Sequence, residues 1–229
     1  MRVCARHGIN VVAHGGFPYQ AVPVQFWLEH FAIAVSAISG VLAARGKRVD
    51  LFGVLVLALA TAFGGGTVRD LLVGDLPVVW IREPSMLLNA SAVALLTFFV
   101  RRVRAIPGAF LLVADAFALA LFTIIGTRKG VALQFAPPVA VMLGVVTGVA
   151  GGIIRDVLTA EVPLVFRSQI YLYATAALIG ATTFVTALQW WPNHAALTVI
   201  CVALILVLRL IGIRLKLTLP VLDPDHVAK

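Results

Sequence analysis

Residues 64–80 read GGGTVRDLLVGDLPVVW, and residues 150–166 read AGGIIRDVLTAEVPLVF. The second stretch repeats the first at an offset of 86 residues without a gap. The recurring positions include paired glycines, an arginine, an aspartate and a proline: Gly65, Gly66, Arg69, Asp70, Leu72, Pro77 and Val79 correspond to Gly151, Gly152, Arg155, Asp156, Leu158, Pro163 and Val165. Chance similarity between apolar segments does not keep such residues in register, so the sequence indicates an internal duplication.

The composition of the chain is that of a membrane protein. Of its 229 residues, 61% are apolar and 12% are charged, and the mean hydropathy is +1.03. Soluble domains are about 45–50% apolar and about 25% charged, and a soluble fold needs more polar surface than this sequence supplies. These figures exclude a soluble globule, a disordered chain, collagen and a disulfide scaffold. They predict an all-α polytopic protein whose surroundings are the lipid bilayer.

Seven segments are long and apolar enough for membrane-spanning helices, which need about 20 mostly apolar residues. They are 27–44, 49–73, 84–100, 109–127, 132–158, 169–189 and 194–213. Each repeat unit holds three of them, and an odd number of spans makes the second unit cross the membrane in the opposite direction. The sequence therefore predicts two inverted repeats, 26–104 and 105–190, and a seventh helix at 191–216, with tails at 1–25 and 217–229.

Basic residues in the connections predict the orientation of these spans. Nine follow the odd-numbered spans: Arg45, Lys47, Arg48, Arg101, Arg102, Arg104, Arg167, Arg214 and Lys216. Three lie in the opposite connections: Arg82, Arg128 and Lys129. The positive-inside rule then places the amino terminus outside the cell membrane and the carboxyl terminus in the cytoplasm. It also accounts for the net charge of +8 without a nucleic-acid partner.

Two glycine clusters, Gly64–Gly66 and Gly151–Gly152, lie deep in the second and fifth spans. Consecutive glycines favour a kink or an unwound turn, which membranes tolerate only where the backbone is buried in protein or lines a water-filled cavity. The alternative is close packing of two helices through small residues. The symmetric placement of the clusters favours two broken helices that meet at a pathway.

Each glycine cluster is followed by an Arg-Asp pair, Arg69-Asp70 or Arg155-Asp156. Charges inside a membrane are costly and face a cavity or a partner. Adjacent side chains on a helix point about 100° apart, which predicts that Arg69 does not pair with Asp70. The symmetry instead predicts contacts between the repeats, from Arg69 to Asp156 and from Arg155 to Asp70. A structural clamp and direct contact with a substrate are both open roles.

Further polar residues recur at the same offset. Glu29 corresponds to Asp115, and each precedes a glycine by 11 residues on the same helix face; Thr61 and Thr147 share a face with Gly65 and Gly151. Lining a pathway is one interpretation, and dipole stabilisation by the acids and hydrogen bonding of each threonine to its own helix is the other. Tyr171 and Tyr173 are predicted at the membrane interface.

The motifs of enzymes are absent from the sequence. GGGTVRD lacks the Gly-Lys-Ser/Thr of a phosphate-binding loop and is not a dinucleotide fingerprint, and the histidines have no metal-ligand spacing. We therefore predict no catalytic residue, no bound metal and no cofactor.

These motifs, with LEHFAIAVSAISG (28–40) and ADAFALALFTIIG (114–126) heading the two units, resemble the prokaryotic trimeric intracellular cation channels, a family also known by a "glycine transporter" domain. The resemblance covers about residues 26–218. It implies a homotrimer with a pore in each protomer that conducts potassium and other monovalent cations, lined by kinked second and fifth helices. By motif match, Gly64–Gly66, Arg69, Asp70, Gly151, Gly152, Arg155 and Asp156 inherit that role. Two positions depart from the family pattern: Glu29 replaces an Asp, and Ala150 replaces a third glycine.

Two functions fit the residues. In a passive cation channel, with potassium or sodium as the permeant ion, carbonyl oxygens and carboxylates replace part of the ion's hydration shell. In a secondary transporter of glycine or another small zwitterion, Arg holds the carboxylate and Asp the ammonium while the repeats rock. The resemblance favours the channel.

Overall fold

The computed structural model describes residues 23–100, 108–167, 173–191 and 194–215. Within these ranges the chain forms eight α-helices and one short 3₁₀ helix. They are α1 (Pro23–Ala43), α2 (Leu51–Val73), α3 (Val79–Arg82), α4 (Pro84–Phe99), α5 (Ala109–Ala132), α6 (Pro137–Leu158), the 3₁₀ helix (Leu164–Phe166), α7 (Tyr173–Ala187) and α8 (His194–Leu215). Most of the predicted amino-terminal tail, the whole carboxyl-terminal tail, Arg101, Arg102, Arg104, Tyr171 and Lys216 lie outside the described residues.

The prediction of a polytopic, helical membrane protein is confirmed. Five helices, α1, α2, α5, α6 and α8, are long and apolar enough to cross a membrane. Helices α4 and α7 are equally apolar but shorter, at 16 and 15 residues. Large apolar side chains are exposed on the outer faces, among them Phe52, Leu96 and Val199. Lipid is the environment that suits such a surface.

The connection between α5 and α6 lies farther along the chain than the sequence predicts. Helix α5 continues to Ala132 instead of ending at 127, and α6 begins at Pro137 instead of 132. Arg128 and Lys129 are good helix formers and do not interrupt α5. Proline is favoured in the first turn of a helix, where its missing N–H costs nothing, so the start of α6 is set by Pro137.

Helices α2 and α6 cross in direct contact at their glycines, and both are continuous α-helices there. The unwound turns predicted from Gly64–Gly66 and Gly151–Gly152 are therefore wrong. A Cβ atom on Gly151 would lie 2.6 Å from the carbonyl oxygen of Thr61, and one on Gly65 would overlap the carbonyl oxygen of Thr147. The physical reason is that glycine here lets two backbones approach, and this packing offsets its low helix propensity.

Similar close crossings join the first two helices of each predicted repeat. A Cβ atom on Gly40 of α1 would lie 2.7 Å from Cα of Ala58 in α2, and one on Gly126 of α5 would lie 3.0 Å from Cα of Gly144 in α6. Helix α5 also packs against α1, α7 and α8. The interior of the protein is thus enclosed by α1, α2, α5 and α6, whose inward faces carry the buried charged residues of the described chain except Arg209, which lies on α8.

Candidate functional site

Three cavities follow one another along α1 and its carboxyl-terminal end. The Glu29 cavity, about 20 Å³, is lined by Glu29 and Ile33, and the central cavity, about 10 Å³, is lined by Ser36 and Ser39. The third cavity, the vestibule, has a volume of about 290 Å³ and is partly open to the outside; Leu42, Ala43, Arg45 and Lys47 line it. A single water molecule needs about 10–15 Å³, so the first two cavities are of the size of one water molecule. The side chain of Phe122 lines both of these small cavities, and they stay separate.

The central cavity contains a buried ionic cluster around Arg155. Its Nη1 donates hydrogen bonds to Oδ1 of Asp115 at 2.8 Å and to Oγ of Ser39 at 2.6 Å, while its Nε donates to Oδ1 of Asp156 at 2.8 Å. The Arg155 side chain is 1% exposed, and both carboxylates are buried. One guanidinium therefore joins α1, α5 and α6, as its planar set of donors allows.

A corresponding cluster surrounds Asp70 at the end of α2. Nε of Arg69 donates to Oδ1 of Asp70 at 2.9 Å, and Nζ of Lys129 in α5 donates to the same oxygen at 2.7 Å. Lys129 also bonds Oδ2 of Asp75, which accepts a further hydrogen bond from Nη2 of Arg82 at 2.9 Å. Arg69 lines the Glu29 cavity together with Glu29 and Gly66.

The predicted ion pairs between the repeats, Arg69 with Asp156 and Arg155 with Asp70, are wrong. Each arginine instead bonds the aspartate that follows it in sequence. The argument from helix geometry failed because the long arginine side chain folds back to its neighbour. The other oxygen of each carboxylate is held by a backbone N–H beyond the helix, from Val79 to Asp70 at 3.0 Å and from Leu164 to Asp156 at 2.8 Å.

The other predicted residues divide between the cavities and the helix contact. The central cavity is lined by Thr61, Thr147, Gly65, Gly151 and Gly152. Gly64 faces the side chain of Ile154 across the α2–α6 contact. Each threonine hydroxyl donates to the carbonyl four residues earlier in its own helix, at 2.6 Å, which is the second of the two predicted roles. Among the described residues, no group of His, Cys, Asp or Glu is arranged to hold a metal ion.

Two lysines form contacts between the two predicted repeats, at the ends of α2 and α6. Lys47, after α1, bonds the carbonyl oxygen of Thr159 and Oε1 of Glu161, the latter at 2.8 Å. Lys129, in the second unit, makes the matching contact with Asp75, the residue that corresponds to Glu161. The sequence did not predict this pairing because the offset of 86 places the two lysines opposite Leu133 and Ala43, not opposite each other.

Both of these acids have a lowered pKa. Burial opposes ionisation of Asp75, but hydrogen bonds and the charges of Arg82 and Lys129 outweigh it and hold its pKa below the usual range. The hydrogen bond and charge of Lys47, with a smaller contribution from Arg167, lower the pKa of Glu161. Each carboxylate therefore stays ionised and attached to its lysine at neutral pH.

We expect Glu161→Gln to lower the thermal unfolding temperature slightly at pH 7 and by a smaller amount at pH 3. Because the folded-state pKa of Glu161 is lowered, its contact with Lys47 stabilises the fold above the ordinary Glu pKa, and this contribution is lost as the pH falls through the lower, folded value. Melting curves of purified protein at both pH values measure the difference. Glu83→Gln is the control, and an effect of Glu161→Gln that is the same at both pH values would contradict the assignment.

Several residues at the site escaped prediction. Tyr173, predicted at the membrane interface, is buried, and its hydroxyl donates to Oδ1 of Asp115 at 3.4 Å. Arg209 of α8 is fully buried, with Nη2 at 3.8 Å from Oδ2 of Asp115. Ser39 had no signal beyond its polarity. A charge within the last apolar segment, near its carboxyl-terminal end, was the signal for Arg209, because intramembrane charges mark functional sites or their partners.

The sequence and the fold of this chain match known proteins. A family model described as "Glycine transporter" matches residues 26–102 and 112–189. The UPF0126 inner membrane protein YadS of Escherichia coli K12 is 43% identical over 204 residues, which cover 88% of this chain and 97% of that protein. A UPF0126 membrane protein of Vibrio cholerae is 42% identical over 196 residues, 85% of this chain and 81% of that one.

Among solved structures, the trimeric intracellular cation (TRIC) channel orthologue from Rhodobacter sphaeroides superposes with a TM-score of 0.77. It is 34% identical, and the match covers 84% of this chain and 98% of that one. This chain belongs to the TRIC family. The family predicted from the doubled Gly-Gly-x-x-Arg-Asp motif is thereby confirmed. The two ranges matched by the family model start 86 residues apart, the offset at which the TRIC motif recurs in this chain.

Proposed function

We propose that this protein is a passive channel for monovalent cations, with potassium or sodium as the permeant ion and one pore in each protomer. The observation that carries the proposal is the succession of three cavities along α1, two of which place a carboxylate, Glu29 or Asp115, in the interior. The arginines beside these cavities are neutralised by ion pairs. The description of the Rhodobacter sphaeroides relative as a cation channel supports the same function.

The groups that line the central cavity suit a partly dehydrated cation. Ser36, Ser39, Thr61 and Thr147 present hydroxyl groups there beside Asp115. A hydroxyl that donates its proton to a carbonyl still has lone pairs with which to accept, so Thr61 and Thr147 retain oxygen atoms for an ion. Oxygen ligands of modest strength at successive positions bind an ion well enough to admit it and weakly enough to release it.

The architecture that we propose for this channel has seven spans, formed by α1, α2, α4, α5, α6, α7 and α8. The first six form two inverted repeats, the amino terminus lies outside, and three protomers associate. Matching contacts support the repeats: Arg69–Asp70 and Arg155–Asp156, and the glycine crossings of α1 with α2 and of α5 with α6. The distribution of basic residues supports the orientation, and the trimeric relative supports the assembly.

Phe122 lines both the Glu29 cavity and the central cavity, and we propose that an ion passes between them only when this ring moves. The corresponding residue of the first repeat is Ser36, which carries no ring. We expect Phe122→Ser to raise the unitary potassium conductance several-fold in planar bilayers. Leu121→Ser is the matched control, because Leu121 is buried in the same core cluster but lines neither cavity. Equal conductance in the two variants would contradict the pathway.

The function itself is tested with purified protein in planar bilayers under a potassium chloride gradient. We expect discrete currents whose reversal potential lies near the potassium equilibrium potential. The channel proposal would be overturned if the protein gave no currents but took up glycine into liposomes in a saturable and electrically silent manner.

A secondary transporter of glycine or another small zwitterion is the second candidate. One observation favours it: both small cavities pair an acid with a guanidinium, Glu29 with Arg69 and Asp115 with Arg155, and these groups match an ammonium and a carboxylate. The volumes favour the channel, because each of these cavities is of the size of one water molecule and smaller than an amino acid. The liposome measurement above distinguishes the two functions.

A further inference from the structure

Helix α8 brings a charge into the interior from outside the predicted repeats. Its buried face includes four residues at intervals of four positions, Leu197, Cys201, Ile205 and Arg209. The first three pack into an apolar cluster with α5 and α7, and Arg209 lies one turn further on. An arginine at 0% exposure in an apolar segment is expensive to bury, so a specific partner has to stabilise it.

The wall of the central cavity supplies part of this stabilisation. Nη2 of Arg209 lies 3.8 Å from Oδ2 of Asp115, and its guanidinium carbon is 4.6 Å from the centre of the Tyr173 ring, a cation–π distance. Asp115 Oδ1 is occupied by Arg155 and by the Tyr173 hydroxyl, whereas Oδ2 accepts no hydrogen bond from the described residues. Arg209 therefore faces the carboxylate oxygen that is open to a cation.

The charges of this cluster balance only when Arg209 is counted. Asp115 and Asp156 supply two negative charges, and Arg155 and Arg209 supply two positive charges. Without Arg209 the cluster beside the central cavity has a net charge of −1. Because α8 lies outside the two predicted repeats, Arg209 neutralises charge at the central cavity and has no counterpart at the Glu29 cavity.

We propose that Arg209 is an internal cation that competes with permeating cations for Asp115 and so limits their occupancy of the central cavity. The inference rests on the proposed channel function. It assigns to α8 a part in conduction, in addition to the bracing of the helices that its apolar contacts with α7 provide.

The test is the unitary current of purified protein in planar bilayers as a function of potassium chloride concentration. In Arg209→Gln the half-saturating potassium concentration is expected to fall by about tenfold, since a cavity with an unbalanced charge concentrates counter-ions by about this factor or more. Arg209→Lys keeps the charge and is expected to behave like the wild type. Arg214→Gln is the matched control, because this exposed arginine lies five positions further along α8.

Asp115→Asn provides a second arm that does not depend on the folding of Arg209→Gln. It leaves Arg209 without its opposing charge, so the half-saturating potassium concentration is expected to rise by about tenfold. The double variant Asp115→Asn/Arg209→Gln keeps Asp156 and Arg155, whose charges balance. Its half-saturating potassium concentration is therefore expected to return close to the wild-type value.

Three results would overturn the inference. The first is a half-saturating potassium concentration that is the same in Arg209→Gln and Arg214→Gln, and the second is an unchanged concentration in Asp115→Asn. The third is a wild-type concentration in Arg209→Gln together with an altered one in Arg209→Lys. Failure of the proposed function is a different result, since it is the absence of potassium currents from the wild-type protein.

Discussion

Gly65→Ala is expected to prevent accumulation of the folded protein, whereas Gly66→Ala is expected to be tolerated. A Cβ atom at position 65 would overlap the carbonyl oxygen of Thr147 in α6. This atom belongs to the backbone of a packed helix and does not move aside. The expected loss in free energy of unfolding is therefore about 3 kcal/mol or more, the upper end of the range for overpacked cores. Thermal unfolding of detergent-purified protein, with the yield of monodisperse protein, measures the effect.

Gly66→Ala is the matched control in the same cluster. Among the described residues, a Cβ atom there would meet only Nη2 of Arg69, at 3.9 Å. Alanine is favoured over glycine inside a helix by about 1 kcal/mol, so this variant is expected to be at least as stable as the wild type. Equal stabilities of the two variants would contradict the close α2–α6 contact. A lowered current in Gly66→Ala at unchanged stability would restore a hinge role for the cluster.

Arg155→Met is expected to destabilise the protein more strongly than Arg69→Met, although the two arginines occupy the same motif position. Arg155 binds Asp115, Asp156 and Ser39 in the interior, and its loss leaves buried carboxylates without their main partner. Breaking a buried ion pair in this way costs about 3–5 kcal/mol. Loss of Arg69 is milder, about 1.5–3 kcal/mol for a charged hydrogen bond, because Lys129 still binds Asp70.

Melting temperatures of the two variants in detergent measure this difference. Arg155→Lys is expected to recover only part of the stability, because an ammonium group does not reproduce the planar set of donors that reaches three partners. Arg155→Met combined with Asp156→Asn is expected to recover more, since the two buried charges that remain, Asp115 and Arg209, balance each other. An Arg69→Met variant as unstable as Arg155→Met would show that Lys129 does not support Asp70.

The helices were predictable because their signal is local. A run of about 20 apolar residues has few structural options in a bilayer, and seven such runs correspond to α1, α2, α4, α5, α6, α7 and α8. The boundary at Pro137 was misplaced because an apolar stretch does not reveal where a turn falls. The family was also predictable, because the motif with Arg155 and Asp156 duplicates the one with Arg69 and Asp70.

The contacts of the candidate site were less predictable. Gly65 and Gly151 were identified as important, but their role as a backbone contact depends on how α2 crosses α6, and a sequence of glycines is equally compatible with a break. Arg69 and Arg155 were identified, but their partners follow from side-chain conformations that the helical spacing does not specify. Lys47 and Lys129 were counted only as orientation signals, because the repeat offset does not align them.

The amino-acid order alone was sufficient for the membrane class, the helices, the family and the duplicated motif that carries the buried charges. These properties depend on hydrophobicity, local spacing and similarity along the chain. The partners of those charges, including Arg209 and Tyr173 beside Asp115, were settled by folding, which brings α8 and α7 against α5. The physical reason is that a buried charge is stabilised by whichever opposite charge lies within a few ångströms, and that distance is a property of packed helices.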